Sequence, residues 1–179
     1  MTTKEFEIPD KVSASFENNW LAVKGPKGEI KREFRSPNIK MAVDGKKIVI
    51  ATSSSRRKDG AMLGTWCAHV KNMLISAEKH WEVKMHIVYS HFPIKLSFDD
   101  KNKNFVIQNF LGERATRYSK SKGDIKVDIK GGDIFVTGTN KEHVSQTAAN
   151  LEQVTRIRRY DKRIFQDGCY IVQKAKPLE

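Results

Sequence analysis

Alternating hydrophobic and polar positions predict β-strands in two matching parts of the chain. Residues 21–25 (LAVKG) and 105–109 (FVIQN) alternate with a period of two, which is typical of strands with one buried face. Residues 48–52 (IVIAT) and 134–138 (IFVTG) are rich in β-branched and aromatic residues, and each run follows a glycine-containing turn. Because Gly-Lys and Gly-Gly pairs suit tight turns, the pattern predicts a hairpin at each position.

Helical spacing follows each predicted hairpin, so we expect each helix to pack on the strands before it. In the first segment Asp59 is placed as a possible N-cap. The inner stripe of this segment is Leu63, Trp66, Val70, Met73 or Leu74, Ala77 and Trp81, with Cys67 filling core space beside it. In the second segment Thr139 and Glu142 fit a capping box. Its inner stripe is Val144, Ala148, Leu151 and Thr155.

The two halves of the chain repeat the same order of elements. Residues 21–34 and 105–118 each run from an alternating strand through a Gly-Glu turn to a cationic stretch that ends on an aromatic residue, at an offset of 84. The hairpins repeat at an offset of 86, and the helices at about 80 because the first half has the longer loop. Two copies are too few for a solenoid, so the repeat predicts two similar domains in tandem.

The predicted domain boundary lies near residue 90. Residues 83–98 (VKMHIVYSHFPIKLSF) can form strands at both ends, with Ser90, His91 and Pro93 as the crossing point. The predicted domains are therefore 1–90 and 91–179.

Composition favours a folded, phosphate-binding protein. The 179 residues are 39% hydrophobic and 9% aromatic, enough for packed cores. A net charge of +12 and a pI near 9.7 are typical of proteins that bind phosphate, although charge alone also allows a merely soluble basic protein or an anionic membrane surface as partner. The chain has no secretory signal or membrane-spanning run, so we expect a soluble, cytoplasmic protein.

Catalytic and metal-binding patterns are absent from the sequence. Its five histidines, His69, His80, His86, His91 and His143, have no metal-ligand spacing, and Cys67 and Cys169 lack a CxxC partner. The segment KGPKG lacks the ending of a phosphate loop, so Gly28 is interpreted as a turn residue with positive φ. No serine or cysteine has a nucleophile-elbow pattern. We predict a non-enzyme without cofactor or metal.

Two segments concentrate cations between aromatic residues. Residues 156–176 hold seven Lys and Arg against two Asp, and residues 114–130 hold six against two. The interleaved aromatics are Tyr118, Tyr160, Phe165 and Tyr170. Arginine forks bind phosphate oxygens and stack on bases, so the pattern indicates recognition of structured RNA by shape and backbone. A solvated basic face remains the alternative, and the charges do not distinguish RNA from DNA.

Five motifs, in order along nearly the whole chain, resemble the L6 family of large-subunit ribosomal proteins. They are VKGPKGE at 23–29, VYSHFP at 88–93, NFLGE at 109–113, QTAANLEQVTRI at 146–157 and RIFQDGCYIV at 163–172. The archaeal and eukaryotic cytosolic branch fits better than the bacterial one, and the archaeal form fits best. The resemblance implies an α+β fold of two tandem duplicated domains, each an antiparallel β-sheet packed with one α-helix.

The same resemblance implies a function. Members of this family bind large-subunit rRNA near the factor-binding region, by the sarcin-ricin loop and the stalk base, with the C-terminal domain making the main contacts. Neighbouring large-subunit proteins and translation factors docking nearby are the implied further partners. A free-standing structured-RNA-binding protein or RNA chaperone of the same fold is the alternative function, and an enzyme with an unrecognised site is the third.

Transferred to this chain, the resemblance nominates RNA-binding residues in three ranks. The first rank is Arg156, Arg158, Arg159, Lys162 and Arg163, and the second is Lys120 and Lys122. The third is Arg56, Arg57 and Lys58, in a loop for which RNA, a neighbouring protein and solvent are the alternatives. Arg117 and Gln166, the latter in the matching FQDG turn, are further candidates. Asp167 is interpreted as a local hydrogen-bonding residue and Gly168 as conformational. Cys169 stands where many relatives have an aliphatic residue.

Overall fold

The chain folds into two compact units. The computed structural model describes residues 2–90, 92–161 and 163–178. One unit ends at His80, and the other runs from Trp81 to Leu178. Within the described chain, neither long helix is apolar enough to span a membrane.

In the part of the first unit that the structure describes, the chain forms six strands and one helix. They are β1 Thr2–Glu7, β2 Ser13–Glu17, β3 Trp20–Gly25, β4 Gly28–Glu33, β5 Ile39–Asp44, β6 Lys47–Thr52 and α1 Arg57–Glu78. Antiparallel pairing gives two three-stranded sheets, ordered β2-β3-β4 and β1-β6-β5. Alternate residues of β3 and β6 are buried, as the period of two predicts.

Helix α1 supplies one wall of the first core. Its buried residues are Leu63, Trp66, Val70, Met73, Leu74, Ser76 and Ala77. The Trp66 ring meets the Phe34 ring edge-on, with 5.2 Å between centroids. Gly25 lies so close to α1 that a Cβ atom there would overlap the carbonyl of Ala77, so this position needs glycine for packing. Gly28 has a φ of 142° at the turn, as predicted.

The described residues of the second unit form seven strands, one α-helix and a short 3-10 turn. They are β7 Trp81–Val88, β8 Lys95–Asp99, β9 Asn104–Gln108, the turn Phe110–Gly112, β10 Arg117–Lys120, β11 Ile125–Lys130, β12 Asp133–Gly138, α2 Lys141–Val154 and β13 Gly168–Pro177. Antiparallel pairing gives the sheets β10-β9-β8 and β11-β12-β7-β13. The buried face of α2 is Val144, Thr147, Ala148 and Leu151.

The two units share one plan, and the predicted duplicated α+β fold is confirmed. The sheet β2-β3-β4 corresponds to β8-β9-β10, and β1-β6-β5 corresponds to β7-β12-β11. In each unit the first strand pairs with the strand that precedes the helix. Only the second unit adds a strand after its helix, because β13 pairs with β7.

Three local predictions differ from the structure. The predicted boundary near residue 90 lies after β7, whereas the chain divides before it, because β7 pairs with β12 and β13. Trp81 therefore begins a strand and does not belong to the α1 stripe. The helix starts also shift: Arg56 occupies the N-cap of α1 in place of Asp59, and the Asn140 side chain caps α2 by accepting from the Glu142 N–H at 2.9 Å.

Candidate nucleic-acid interface

A groove of about 530 Å³ lies in the second unit beside β10 and the end of α2. The residues that carry its chemistry are Arg117, Tyr118, Lys120, Gln153, Arg156 and Arg158. Four of these are predicted RNA-binding cations, which the fold gathers from positions up to 41 residues apart in sequence. We call this surface the cationic groove.

Strand β10 presents its polar side chains to the groove by alternation. Tyr118 and Lys120 are exposed, whereas Ser119 between them is 1% exposed. Because successive strand residues point to opposite faces, Tyr118 and Lys120 share one outward face. Strand β10 therefore places an aromatic ring and an ammonium group side by side.

Hydrogen bonds to α2 hold β10 in place. The Asn150 amide donates to the carbonyl of Lys120 at 3.1 Å. Just beyond the strand, the Lys122 N–H donates to the Thr147 hydroxyl at 3.0 Å. Both bonds join the wall formed by β10 to the wall formed by α2, so the groove is shaped before any ligand arrives.

The guanidinium group of Arg117 is engaged in contacts within the second unit. Its Nε and Nη2 atoms lie 2.8 and 2.5 Å from the two carboxylate oxygens of Glu113. Its Nη1 donates to the carbonyl of Val154 at 2.7 Å, and its guanidinium lies 4.3 Å from the centre of the buried Phe110 ring. These contacts use the arginine fork to tie β10 to the end of α2. The geometry favours a positioning role for Arg117 over the predicted RNA contact.

The segment 156–166, which we call the arginine loop, follows α2 and has a defined turn. The side chain of Asp161 accepts from the Arg163 N–H at 2.9 Å. The carbonyl of Asp161 accepts from the N–H groups of Ile164 and Phe165 at 3.1 and 2.9 Å. The Tyr160 and Phe165 rings lie 4.9 Å apart, which braces the same turn.

Most of the predicted cations in the second unit are available for a ligand. Those that are exposed and pair with no carboxylate among the described residues are Lys120, Lys122, Arg156, Arg158, Arg159 and Arg163. By contrast, Lys103 pairs with Asp124 at 2.5 Å and Lys130 with Asp128 at 2.7 Å. An unpaired guanidinium keeps its donors for phosphate oxygens. The predicted site residue Lys162 lies outside the described residues.

The segment Gln166-Asp167-Gly168 anchors the end of the arginine loop. Asp167 is fully buried and accepts from the Ser90 N–H at 3.0 Å, a contact across 77 positions, so the predicted local role was wrong. Gln166 is exposed, and its carbonyl accepts from the Tyr170 hydroxyl at 3.2 Å. A Cβ atom at Gly168 would meet the Thr155 carbonyl at 3.3 Å, which explains the glycine by close packing.

The buried surroundings of Cys169 indicate a structural role for this residue. Its thiol is buried, and its N–H donates to the hydroxyl of Thr155 at 3.0 Å. Burial raises the pKa of the Cys169 thiol to about 12, which outweighs the opposing hydrogen bond to Thr155. The thiol is therefore protonated at neutral pH. No group of three or more metal-ligating side chains comes together within the described ranges.

The third-rank cations belong to the other unit. Arg56, Arg57 and Lys58 are exposed at the start of α1, and none pairs with a carboxylate in the described chain. They form a second candidate surface, on the first unit.

Sequence reasoning missed the amide side chains of the groove. Asn150 and Gln153 are three residues apart on α2, a spacing that puts both on one helix face. These polar side chains lie next to the buried stripe of α2, and this pattern was the sequence signal that could have indicated them. The sequence alone does not show that this helix face packs beside β10.

Comparison with known proteins identifies close relatives. The family model described as "Ribosomal protein L6" matches residues 8–75 and 95–168. "Large ribosomal subunit protein uL6" of Methanosarcina mazei is 48% identical over 172 residues, covering 96% of this chain and 97% of the relative. The proteins of the same name from Methanobrevibacter smithii and Methanocella arvoryzae are 46% and 44% identical, with 96% of this chain and 95% and 97% of the relatives covered.

Proposed function

Because this chain belongs to the ribosomal protein L6 family, we propose that it is a structural component of the large ribosomal subunit and binds large-subunit rRNA through its second unit. The resemblance to this family inferred from the sequence motifs is confirmed. The predicted similarity to archaeal members is confirmed as well, since these relatives are archaeal proteins. The rRNA contact is our proposal for this chain.

The observation that carries the proposal is the set of unpaired, exposed cations in the second unit. Lys120, Arg156 and Arg158 line or border one groove, and the rest of the arginine loop continues from it. Repulsion among like charges disfavours such a grouping unless an anion binds there. A phosphate backbone supplies closely spaced negative charge that would relieve this repulsion.

The proposed mechanism is electrostatic clamping of folded RNA. Each cation that neutralises a phosphate releases condensed counterions, so isolated affinity falls as salt rises. For about six such contacts, the affinity for rRNA should drop about 10³-fold between 50 and 200 mM salt. Binding would hold the RNA in one shape without any chemical step, so we propose no catalytic activity and no cofactor.

The family resemblance further favours a place near the factor-binding region. We propose contacts close to the sarcin-ricin loop and the stalk base, with neighbouring large-subunit proteins and docking translation factors as further partners in the cytoplasm. The protein would then keep the surface on which those factors dock in a fixed shape.

Sucrose-gradient sedimentation of an extract carrying a tagged copy of this chain tests the proposal. We expect near-stoichiometric recovery with large subunits and with whole ribosomes in moderate salt. A protein found mainly at the top of the gradient would contradict a ribosomal role and favour the free-standing RNA-binding alternative. A titration of purified rRNA at several salt concentrations, with no salt dependence observed, would contradict the electrostatic mechanism.

A further inference from the structure

We propose that the cationic groove binds an unpaired RNA nucleotide whose base stacks on Tyr118 while Arg156, Arg158 and Lys120 hold the flanking phosphates. This inference rests on the proposed RNA-binding function and names the kind of RNA element that the groove accepts.

Tyr118 has the properties of a stacking platform. Its side chain is 61% exposed although aromatic rings are usually covered. It lies on β10, an edge strand, and makes no ring contact with another described residue. By contrast, the Tyr160 ring packs against the Phe165 ring at an angle of 49°. The face of the Tyr118 ring is therefore available to a base.

The surroundings of Tyr118 suit the rest of a nucleotide. Arg156 and Arg158 extend from the end of α2, and Lys120 lies two residues along β10, so cations line the groove beside the ring. The Gln153 side chain offers both a donor and an acceptor, which suits the edge of a base. The groove's volume of about 530 Å³ falls in the range of roughly 300 to 1,000 Å³ typical of small-ligand sites.

Stacking on Tyr118 requires an unpaired base. Inside an A-form duplex each base is covered by its neighbours, and side chains reach only phosphates, sugars and groove edges. Loops, bulges and ends expose base faces that aromatic side chains can cover. A groove that offered only cations would suit a duplex equally well. The exposed ring among the cations favours an unpaired nucleotide.

The groove is also held ready for this contact. Arg117 bonds to Glu113 and to the carbonyl of Val154, and Asn150 bonds to the carbonyl of Lys120. These bonds fix the backbone on both sides of Tyr118. Because this stretch of backbone needs little further ordering, stacking keeps more of its favourable free energy.

The test compares Tyr118→Ala, Tyr118→Phe and Tyr89→Ala in the full-length chain. The probe is purified large-subunit rRNA from Methanosarcina mazei, whose relative is 48% identical. Loss of one base stack should weaken affinity roughly 5- to 100-fold in Tyr118→Ala. Tyr118→Phe keeps the ring and should bind like the wild type. Tyr89→Ala removes a tyrosine that is 52% exposed outside the groove and should have little effect.

Chemical probing of the same rRNA identifies the bound nucleotide. We expect a base that is reactive, and hence unpaired, in free rRNA to become protected by the wild type and by Tyr118→Phe, but not by Tyr118→Ala. Normal affinity of Tyr118→Ala, or Tyr118-dependent protection confined to duplex, would overturn the inference and leave rRNA binding intact. Failure of the wild type to bind rRNA would overturn both proposals. Matching circular dichroism spectra exclude unfolding of the variants.

Discussion

The two units carry the same net charge but arrange it differently. Residues 1–80 hold 15 Lys and Arg against nine Asp and Glu, and residues 81–179 hold 18 against 12, so each half is +6. In the second unit exposed cations gather around a groove and a loop with exposed aromatics, whereas in the first unit the candidate cations Arg56, Arg57 and Lys58 form a run at the start of α1. Net charge therefore does not favour either unit as the RNA-binding one, and the proposal for the second unit is supported by the grouping of its unpaired cations.

The difference arises from the segment after each helix. Helix α1 leads into β7, which belongs to the next unit, but α2 leads into the arginine loop and then β13. Strand β13 pairs with β7 and fixes the far end of the loop, where Asp167 bonds to Ser90. An extra strand thus gave the second unit an anchored cationic loop that the shared plan lacks.

The two units are alike in packing a helix on sheets, and the largest expected effect is the loss of stability when that packing is disturbed. Trp66→Ala removes a side chain that is 6% exposed and packed on Phe34, so it should destabilise the first unit by about 3 to 5 kcal/mol. Met62→Ala, on the exposed side of α1, is the control and should cost about 0.5 kcal/mol or less. Urea unfolding monitored by hydrogen exchange measures the free energy of unfolding of both variants. Equal destabilisation would mean that the buried face of α1 has been assigned wrongly.

The next effect tests the part in which the units differ. Replacing Arg158, Arg159 and Arg163 together with Ala should weaken rRNA binding about 100-fold and reduce the salt slope by about 3, because three phosphate contacts are lost. The matched control replaces Arg56, Arg57 and Lys58, which removes the same charge from the first unit and should change affinity much less. Filter binding across a salt series measures both. A larger loss of rRNA affinity in the control would contradict the proposal and indicate that the RNA-binding surface lies on the first unit.

A smaller effect concerns the anchor of the arginine loop. Asp167→Ala removes the hydrogen bond between the buried Asp167 carboxylate and the Ser90 N–H and should destabilise the second unit by about 1 kcal/mol. Hydrogen exchange in residues 156–166 should rise as well. Asp167→Asn keeps an oxygen acceptor and is expected to restore much of the protection. Unchanged exchange in Asp167→Ala would show that the loop holds its shape without this anchor.

The smallest expected effect is the difference in thiol reactivity between Cys67 in the first unit and Cys169 in the second. Only the thiolate reacts readily, and burial raises the pKa of both thiols, that of Cys169 to about 12. A raised pKa means less thiolate at a given pH, so labelling should be slow at pH 8 and should accelerate as pH rises. Cys67 is the more accessible and should react first, with Cys169 reacting only after unfolding. Mass spectrometry of disulfide-reagent adducts measures both rates; rapid labelling of native Cys169 would contradict its burial.

Local sequence patterns were enough to predict most elements but not their sheet partners. The alternation in β3 and β9 and the turns before β6 and β12 are properties of adjacent residues, and these elements were found. The strand β7 alternates equally well whichever sheet it joins, so nothing local assigned it to the second unit. Strand pairing depends on contacts distant in sequence, which composition and periodicity do not encode.

The candidate site was predictable as a set of cations but not as a geometry. Arg156 and Arg158 were named from the sequence, yet their meeting with Lys120 depends on β10 packing beside α2. Arg117 was also named as a candidate, but its bond to the Val154 carbonyl, 37 positions away, favours a positioning role. Charge is visible in a sequence, whereas the availability of that charge depends on its neighbours in the fold.

Photocrosslinking of large subunits that contain a tagged copy of this chain tests the central proposal most directly. Mass spectrometry of the crosslinked peptides reports which residues touch rRNA. We expect crosslinks to concentrate at residues 117–122 and 156–166 of the second unit. Crosslinks found mainly in residues 2–80, with none in the arginine loop or the cationic groove, would contradict the assignment of rRNA binding to the second unit.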